Sequence, residues 1–375
     1  MVAQLEIGTA KGQPGRLAYG AVDAVPLPTG DFDRFPIVIA QGREPGPTLW
    51  LTASIHGNEY TGLAVLHRLL DDDLARRLRG AVVAAPTLNP AGLRAGTRSA
   101  YYLGGADPNR LFPAPPLAGE AEGDATEPPS ALESAYRRLF DVIRGTADYL
   151  IDLHCASIAS IPFAFIDPVF YREGGDGPDG DKATTNRLYE TVQGMAEAFG
   201  LSVIREFVSR EYLSKKLHRS VSGALLNLAH IPAFTAELGS SFVVDRAARD
   251  AAVAGLRNVM RWAGMLDGPM EPVAGVPIIR PGYPVRRMVH PRVPCSCIVH
   301  YLVNPGDAVR QGQPVAELRD IYGRPATDDG LLRTDHDGHV LAVFNGALFF
   351  ENEAIMTLAV SDEREMVLPY PDNLK

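Results

Sequence analysis

Cysteine is scarce in this chain of 375 residues, and long apolar runs are missing from it. The three cysteines, Cys155, Cys295 and Cys297, cannot all pair and form no Cys-x-x-Cys motif, which fits a reducing cytoplasm. The longest apolar runs, such as 81–86, are far shorter than the roughly 18 residues that a membrane helix needs. Residues 1–16 contain no run typical of a signal peptide, so we expect a cytoplasmic protein without a membrane partner.

Positive charge is also in short supply. The chain has 36 lysines and arginines against 45 acids, a formal net charge of −9. Binding to nucleic acid requires a basic face, so no nucleic-acid partner is expected. The apolar share of 46% and the charged share of 22% are those of a globular protein, and the length favours two domains. The sequence leaves the oligomeric state open, a homo-oligomer included.

Strand-like and helix-like segments alternate from about residue 34 to residue 266. Apolar runs predict strands at 47–54, 81–86, 148–153, 162–166 and 234–238. Helical periodicity predicts helices over 60–79, 131–144, 186–199 and 245–265, the last capped by Asp245. This alternation is typical of an α/β sheet with helices on both faces. Segment 113–130 is rich in proline and acids, and segment 171–184 is rich in glycine, so both are predicted to be loops.

The character of the chain changes after residue 268. Seven prolines punctuate residues 269–294, and short β-like runs separated by turn signals follow them. We therefore predict an α/β domain over residues 1–268 and a β-rich domain over residues 269–375. Its turns at 303–309 and 312–315 resemble those of biotinyl and lipoyl barrels, but residues 271–370 contain no lysine to carry such a group. We expect this domain to pack against the active site or shield it.

Two segments contain residues of the kind that bind zinc. His56 and Glu59, three residues apart where a strand leads into a helix, can face the same way. His154 ends the buried run Ile151-Asp152-Leu153-His154-Cys155, and Asp152 shares its face and can orient an imidazole. Two histidines and a glutamate form a known catalytic zinc site. Each motif alone also fits a structural role, a capped helix start or a strand-end histidine.

Acidic and basic residues elsewhere suggest catalytic roles. Glu237 lies in the last apolar strand of the α/β part, where a buried carboxylate is costly unless it is paired or acts as a general base. Arg94, Arg98 and Arg110 lie in the glycine- and aromatic-rich segment 92–113, and guanidinium groups bind carboxylates and polarise carbonyls. The alternative for Glu237 is an ion pair with an arginine, and the alternative for the three arginines is a solvated position on the surface. His336 and His339, in the turn DHDGH, are more typical of an exposed turn than of a metal site.

Taken together and in order, these motifs resemble the succinylglutamate desuccinylase and aspartoacylase family. The resemblance is carried by HGNE at 56–59, an arginine, DPNRLFP at 107–113, DLH at 152–154 and ELG at 237–239. It covers roughly residues 45–266, with a β domain following as in family members. It implies a zinc-carboxypeptidase-like mixed sheet flanked by helices, with a small barrel-sandwich-like β domain at the C-terminal end.

The resemblance also implies a role for each matching residue. His56, Glu59 and His154 would bind one zinc ion, and Glu237 would be the catalytic base. Arg98 would polarise the substrate carbonyl, with Arg94 as the alternative, while Asn109 and Arg110 would hold the substrate carboxylate. The implied reaction is removal of an acyl group from a small N-acyl amino acid. A metallocarboxypeptidase acting on peptides and a zinc-binding protein without catalysis are the rival hypotheses.

Overall fold

The computed structural model describes residues 4–114, 128–172, 181–344 and 346–370. Segments 115–127 and 173–180, the central parts of the two predicted loops, lie outside the described residues, and so does the C-terminal end of the predicted β-rich domain. The strands are β1 Glu6–Ile7, β2 Ala10–Lys11, β3 Arg16–Pro26, β4 Phe32–Gln41, β5 Glu44–Ala53, β6 Arg79–Ala85, β7 Tyr149–His154, β8 Ala159–Ser160, β9 Phe163–Ile166, β10 Val169–Tyr171, β11 Ser202–Arg205, β12 Ala233–Glu237, β13 Val285–Val289, β14 Cys297–Tyr301, β15 Ala308–Val309, β16 Pro314–Arg319, β17 Leu331–Arg333, β18 Gly338–Val343, β19 Leu348–Phe349, β20 Met356–Ser361 and β21 Val367–Pro369. The α-helices are α1 Thr61–Leu69, α2 Asp72–Arg77, α3 Pro90–Ala95, α4 Ala131–Arg144, α5 Lys182–Phe199, α6 Ser209–Ser214, α7 Val221–Leu228 and α8 Arg246–Trp262.

Thirteen of the described strands form one mixed sheet. Twelve of them follow the order β15-β18-β20-β13-β11-β9-β12-β7-β5-β6-β4-β3, and β8 pairs with β18 off this path. Strands β6, β5, β7 and β12 run parallel to one another, whereas β9 is antiparallel to β12. The predicted α/β class with a mixed sheet and flanking helices is confirmed.

The helices begin and end at residues suited to those positions. Ser130 accepts a hydrogen bond from the Glu133 amide and starts α4, and Asp245 accepts one from the Ala248 amide and starts α8. Helix α5 ends at Gly200, whose left-handed backbone (φ 88°) is readily adopted by glycine. The apolar faces of α4, α5 and α8 pack on the sheet in one large core.

The prediction of a single helix over residues 60–79 is wrong. The structure breaks it into α1 and α2 because Leu70 has an extended backbone and Asp71 caps a new helix, accepting a hydrogen bond from the Leu74 amide at 2.7 Å. The apolar period continues through the break, and so conceals it. The antiparallel pair of β3 and β4 was also not predicted, since β3 mixes buried, half-buried and exposed positions without a clean alternation.

The C-terminal region is rich in strands, as predicted, and several of them extend the main sheet. Strand β13 pairs in parallel with β11 and antiparallel with β20, and β20 pairs with β18. A second sheet, in the order β17-β16-β14-β19, encloses its own apolar core with them. The domain boundary after residue 268 stays a prediction. In the part of the chain that the structure describes, no helix is long and apolar enough to cross a bilayer.

Phe234 tests how strongly the core of the parallel strands stabilises the fold. Its ring, in β12, is fully buried and meets Phe199 of α5 edge-on at 5.5 Å. Changing Phe234 to Ala should lower the free energy of unfolding by about 3–5 kcal/mol because it leaves a cavity in the core. Denaturant unfolding followed by circular dichroism measures this. Phe350, 60% exposed, is the control, and its change to Ala should cost less than about 0.5 kcal/mol.

Candidate metal centre and active site

A tight turn brings His56 and Glu59 together. The two residues follow β5 and precede α1, and the Glu59 amide donates a hydrogen bond to the His56 carbonyl at 3.1 Å. The pattern predicted a helix start here, but the turn lies before α1, which begins at Thr61. Ser54, which has a positive φ of 48°, is fully buried, and its hydroxyl donates to the Glu59 carbonyl at 3.0 Å. This backbone turns both side chains into the protein at the carboxyl edge of the sheet.

Strand pairing brings His154 and Glu237 to the same edge. His154 ends β7, Glu237 ends β12, and the two residues are direct partners in the parallel register of these strands. Strand β5, which leads into His56 and Glu59, lies on the other side of β7. Side chains from the ends of three adjacent parallel strands therefore meet, as is usual for ligand sites in α/β sheets.

The three predicted metal ligands lie close together and are buried. One potential ligand atom from each of His56, Glu59 and His154 falls within 4.8 Å of the others. The Nδ1 atoms of the two imidazoles face the Glu59 carboxylate, at 2.8 Å for His56 and 3.1 Å for His154. No other group of three or more histidine, cysteine or acidic residues with this geometry occurs in the described ranges.

Each imidazole is oriented by an aspartate that contacts its Nε2 atom, on the side of the ring away from Glu59. His56 Nε2 lies 3.0 Å from Oδ1 of Asp107, and His154 Nε2 lies 2.6 Å from Oδ2 of Asp152. The predicted orienting role of Asp152 is thus seen in the geometry, whereas Asp107 was not singled out for this role. A proton on each Nε2 leaves each Nδ1 lone pair directed at Glu59, the arrangement of metal-binding histidines.

The electrostatics of this group fit a bound cation. Burial opposes ionisation of Glu59, but the two imidazoles outweigh it and hold the pKa of that carboxyl well below its usual range. Burial likewise opposes charge on His154, yet Asp152 and Glu59 raise its pKa well above its ordinary value. Positive charge is therefore strongly favoured between these groups. A divalent cation in place of the Nδ1 protons would supply that charge, and two histidines with one carboxylate suit zinc.

Glu237 has a carboxylate oxygen without a partner. Its Oε2 is enclosed and accepts no hydrogen bond from the residues that the structure describes. Burial raises the pKa of Glu237 to about 7, with His154 opposing the rise and Glu59 adding to it. A partnerless carboxylate beside the His–Glu–His group is what a general base requires. Burial also raises the pKa of the Cys155 thiol, which makes it an unsuitable nucleophile.

Arg98, and not Arg94, lies at this site. Arg98 contacts Glu59 at 3.4 Å and Asp107 at 3.0 Å, while Arg94 pairs with Asp33 at 2.5 Å and does not line the cavity described below. The Arg98 carbonyl accepts hydrogen bonds from the Gly57 amide and from the side chain of Asn89. These bonds attach the backbone at Arg98 to the loop that contains His56.

Asn109 and Arg110 lie in a short 3₁₀ turn, Pro108–Arg110, beside the His56–Glu59–His154 group, which is called the metal group below. The Asn109 amide nitrogen is 3.4 Å from His154 Nε2, and its oxygen accepts from the Val221 amide. Arg110 donates to the carbonyls of Lys215 and Asn109, at 2.8 and 2.6 Å. Neither residue lines the cavity at the metal group.

That cavity has a volume of about 150 Å³ and is walled by residues from before and after residue 268. The part before residue 268 contributes the three candidate ligands, Arg98, Glu237 and the aromatic side chains of β9. The C-terminal part contributes one residue each from β13, β18 and β20 and one that follows β18: Arg287, Ala342, Thr357 and Phe344. These four residues were not predicted, because nothing in their local sequence sets them apart.

The fold is that of solved succinylglutamate desuccinylase/aspartoacylase proteins. One from Rhodobacter sphaeroides aligns with a TM-score of 0.68 at 20% identity, over 93% of this chain and 96% of that one. A product-bound structure of the ectoine utilization protein EutE from Ruegeria pomeroyi aligns with a TM-score of 0.70 at 18% identity, over 96% and 98% of the two chains. At these identities the likeness shows the fold alone.

Residues 45–168 match the profile of the succinylglutamate desuccinylase/aspartoacylase catalytic domain. The family resemblance of this segment, which includes the three predicted metal ligands, is thereby confirmed, while Glu237 lies beyond it. A deacetylase of Halomonas elongata, named for N-alpha-acetyl-L-2,4-diaminobutyric acid, is 32% identical over 131 residues. The aligned segment covers 34% of this chain and spans about a third (34%) of that relative.

Gly57 tests whether the His56 turn depends on close backbone contact. A Cβ atom on Gly57 would lie 2.0 Å from the Gly92 carbonyl carbon and 2.2 Å from the Leu93 nitrogen, so the backbone of α3 would have to move. Changing Gly57 to Ala should therefore displace His56 and lower metal retention after zinc loading at least tenfold, measured by elemental analysis. Gly145→Ala is the control, because its nearest contact would be an ordinary 3.4 Å. Unchanged metal retention in the Gly57 variant would contradict this account.

Proposed function

We propose that the chain is a zinc-dependent amide hydrolase that removes the acyl group from a small N-acyl amino acid, with one zinc ion per chain. The observation that carries the proposal is the His56–Glu59–His154 group, with both imidazoles directed by aspartates, beside the partnerless Oε2 of Glu237. The match to the deacylase catalytic domain over residues 45–168 supports the same reaction.

A zinc ion held by these three residues would lower the pKa of a water molecule and polarise the acyl carbonyl. Glu237 takes the proton of the attacking water and later gives it to the leaving amine. Arg98, held next to Glu59 and Asp107, donates to the carbonyl oxygen as negative charge develops on it. The family resemblance assigns the substrate carboxylate to Asn109 and Arg110, which would orient the amide for attack, although neither residue lines the cavity.

The size and closure of the cavity favour a small substrate over a peptide. Its volume of about 150 Å³ suits a compact acyl amino acid, and Phe163, Phe165 and Phe344 wall it. A peptidase needs an open groove for the chain on either side of the scissile bond. The name of the Halomonas elongata relative, an N-acetyl amino acid deacetylase, supports an acetyl group as the first acyl group to test.

Metal analysis tests the ligand assignment. Purified protein loaded with zinc should hold about one ion per chain, and the His154→Ala variant should lose it because one of three protein ligands is gone. His300, an exposed histidine, provides the control, and its change to Ala should leave the zinc content unchanged. Retention of one zinc by a His56→Ala/His154→Ala double variant would contradict the assignment.

The Glu237→Gln variant tests the general base. Glutamine is nearly isosteric with glutamate, so folding and zinc content should remain, while kcat should fall about 10²- to 10⁴-fold. Hydrolysis of N-acetyl, N-succinyl and N-formyl amino acids, followed by amine release, measures it. Glu190→Gln, an exposed change in α5, is the matched control. Near-normal activity of the Glu237 variant would mean that the base lies elsewhere.

A further inference from the structure

One guanidinium group in the cavity has no role in the mechanism above. Arg287 projects from β13, in the C-terminal part of the chain, and lines the cavity together with Phe165 and Glu237. Its neighbour Arg286 pairs instead with the carboxylate of Asp362, at 3.0 Å. Adjacent strand residues point to opposite faces, and Arg287 is the one directed to the cavity.

The position of Arg287 is fixed on three sides. Its Nη1 donates to both carboxylate oxygens of Glu206, through one short contact and one of 3.3 Å. The guanidinium carbon lies 4.7 Å from the centre of the Phe165 ring and 4.6 Å from that of Phe207. Contacts of this kind between a cation and two aromatic rings hold the group in one place and exclude water from it.

One edge of the guanidinium is left without a partner. The Nε atom is buried and has no hydrogen-bond partner, and Nη2 donates to none of the residues that the structure describes. Nε and Nη2 form an edge of two parallel N–H groups that matches a carboxylate. A buried N–H without a partner is costly, so this donor pair, on a residue that lines the cavity, is suited to an acceptor from a ligand.

The neighbouring charges favour an anion at this place. Burial lowers the pKa of Arg110, Asp107 opposes this, and Arg98 and Arg287 add to the lowering. Arg287 therefore lies close enough to Arg110 for the two positive charges to repel one another. A carboxylate bound to Arg287 would reduce that repulsion and give its Nε–Nη2 edge an acceptor.

We propose that Arg287 is a specificity-determining residue that binds the substrate carboxylate through its Nε–Nη2 edge. Arg287 lines the cavity, whereas Arg110 does not, so the C-terminal part of the chain supplies the carboxylate-binding group at the cavity wall. The inference rests on the proposed function, in that the ligand is taken to be an N-acyl amino acid. The rival role is purely structural, an ion pair with Glu206 that attaches β13.

Binding measurements separate the two roles without depending on turnover. In the zinc-loaded Glu237→Gln protein, calorimetry gives the Kd of N-acetyl derivatives of alanine, glutamate, aspartate and 2,4-diaminobutyrate, and of their α-carboxamides. The same measurements are made after adding Arg287→Lys, which keeps the charge but loses the two-pronged edge. Arg287→Gln is the second variant, in case lysine disturbs the fold.

The matched control is Arg261→Lys in α8. Arg261 is also largely buried, also pairs with a glutamate (Glu271, at 2.7 Å) and also has a partnerless Nε, but it does not line the cavity. We expect the preference for acid over amide to fall about tenfold or more in the Arg287 variants and to stay unchanged in the control. Binding of the amides should change little.

Three other results would overturn the assignment of Arg287 to the substrate carboxylate. An unchanged preference for the acids, failure of all four acids to bind, or loss of folding in both Arg287 variants would leave Arg287 a structural residue. Hydrolysis by the unmodified protein is measured separately on the same compounds. Absence of hydrolysis would reject the proposed function, whereas the ratio of acid to amide binding would still decide the role of Arg287.

Discussion

The buried carboxylate of Glu59 holds the site together. It accepts contacts from both imidazoles, from Arg98 and from the Cys155 amide at 2.9 Å. These partners come from the turn after β5, from the end of β7 and from the segment after α3. A charge withdrawn from water must be compensated by its surroundings, so each of these segments has to take one position before the carboxylate is stable there.

Much of the site was predictable because its side chains lie at the ends of buried apolar runs, which the sequence reveals. The ends of the buried runs placed His154 and Glu237 at strand termini, and parallel pairing of β7 and β12 then made them neighbours. The α/β class followed from the same alternation. The start of α8 followed from its capping residue Asp245, although the helix ends at Trp262 and not at residue 265. The prediction was wrong at Asp71, where a cap lies within a continuous apolar period.

The parts that sequence did not reveal depend on contacts between distant segments. Asp107 reaches His56 across 51 residues, and Arg287 reaches Glu206 across 81. Asp107 belongs to the DPNRLFP motif, but nothing in that motif indicates a contact with His56. Arg287 has a neighbourhood like that of many other charged residues of this chain. The extension of the main sheet through β11, β13 and β20 and the pairing of β18 with β8 bring the C-terminal strands to the cavity wall.

This division of the cavity has a consequence for how the protein is made. During synthesis the three candidate ligands and Glu237 all leave the ribosome before the first C-terminal wall residue, Arg287, has been added. Until then β11 lacks its partner β13, and the cavity lacks Arg287, Ala342, Phe344 and Thr357. A nascent chain that ends at α8 therefore contains all the candidate metal ligands but not the whole cavity wall. The last quarter of the chain completes that wall.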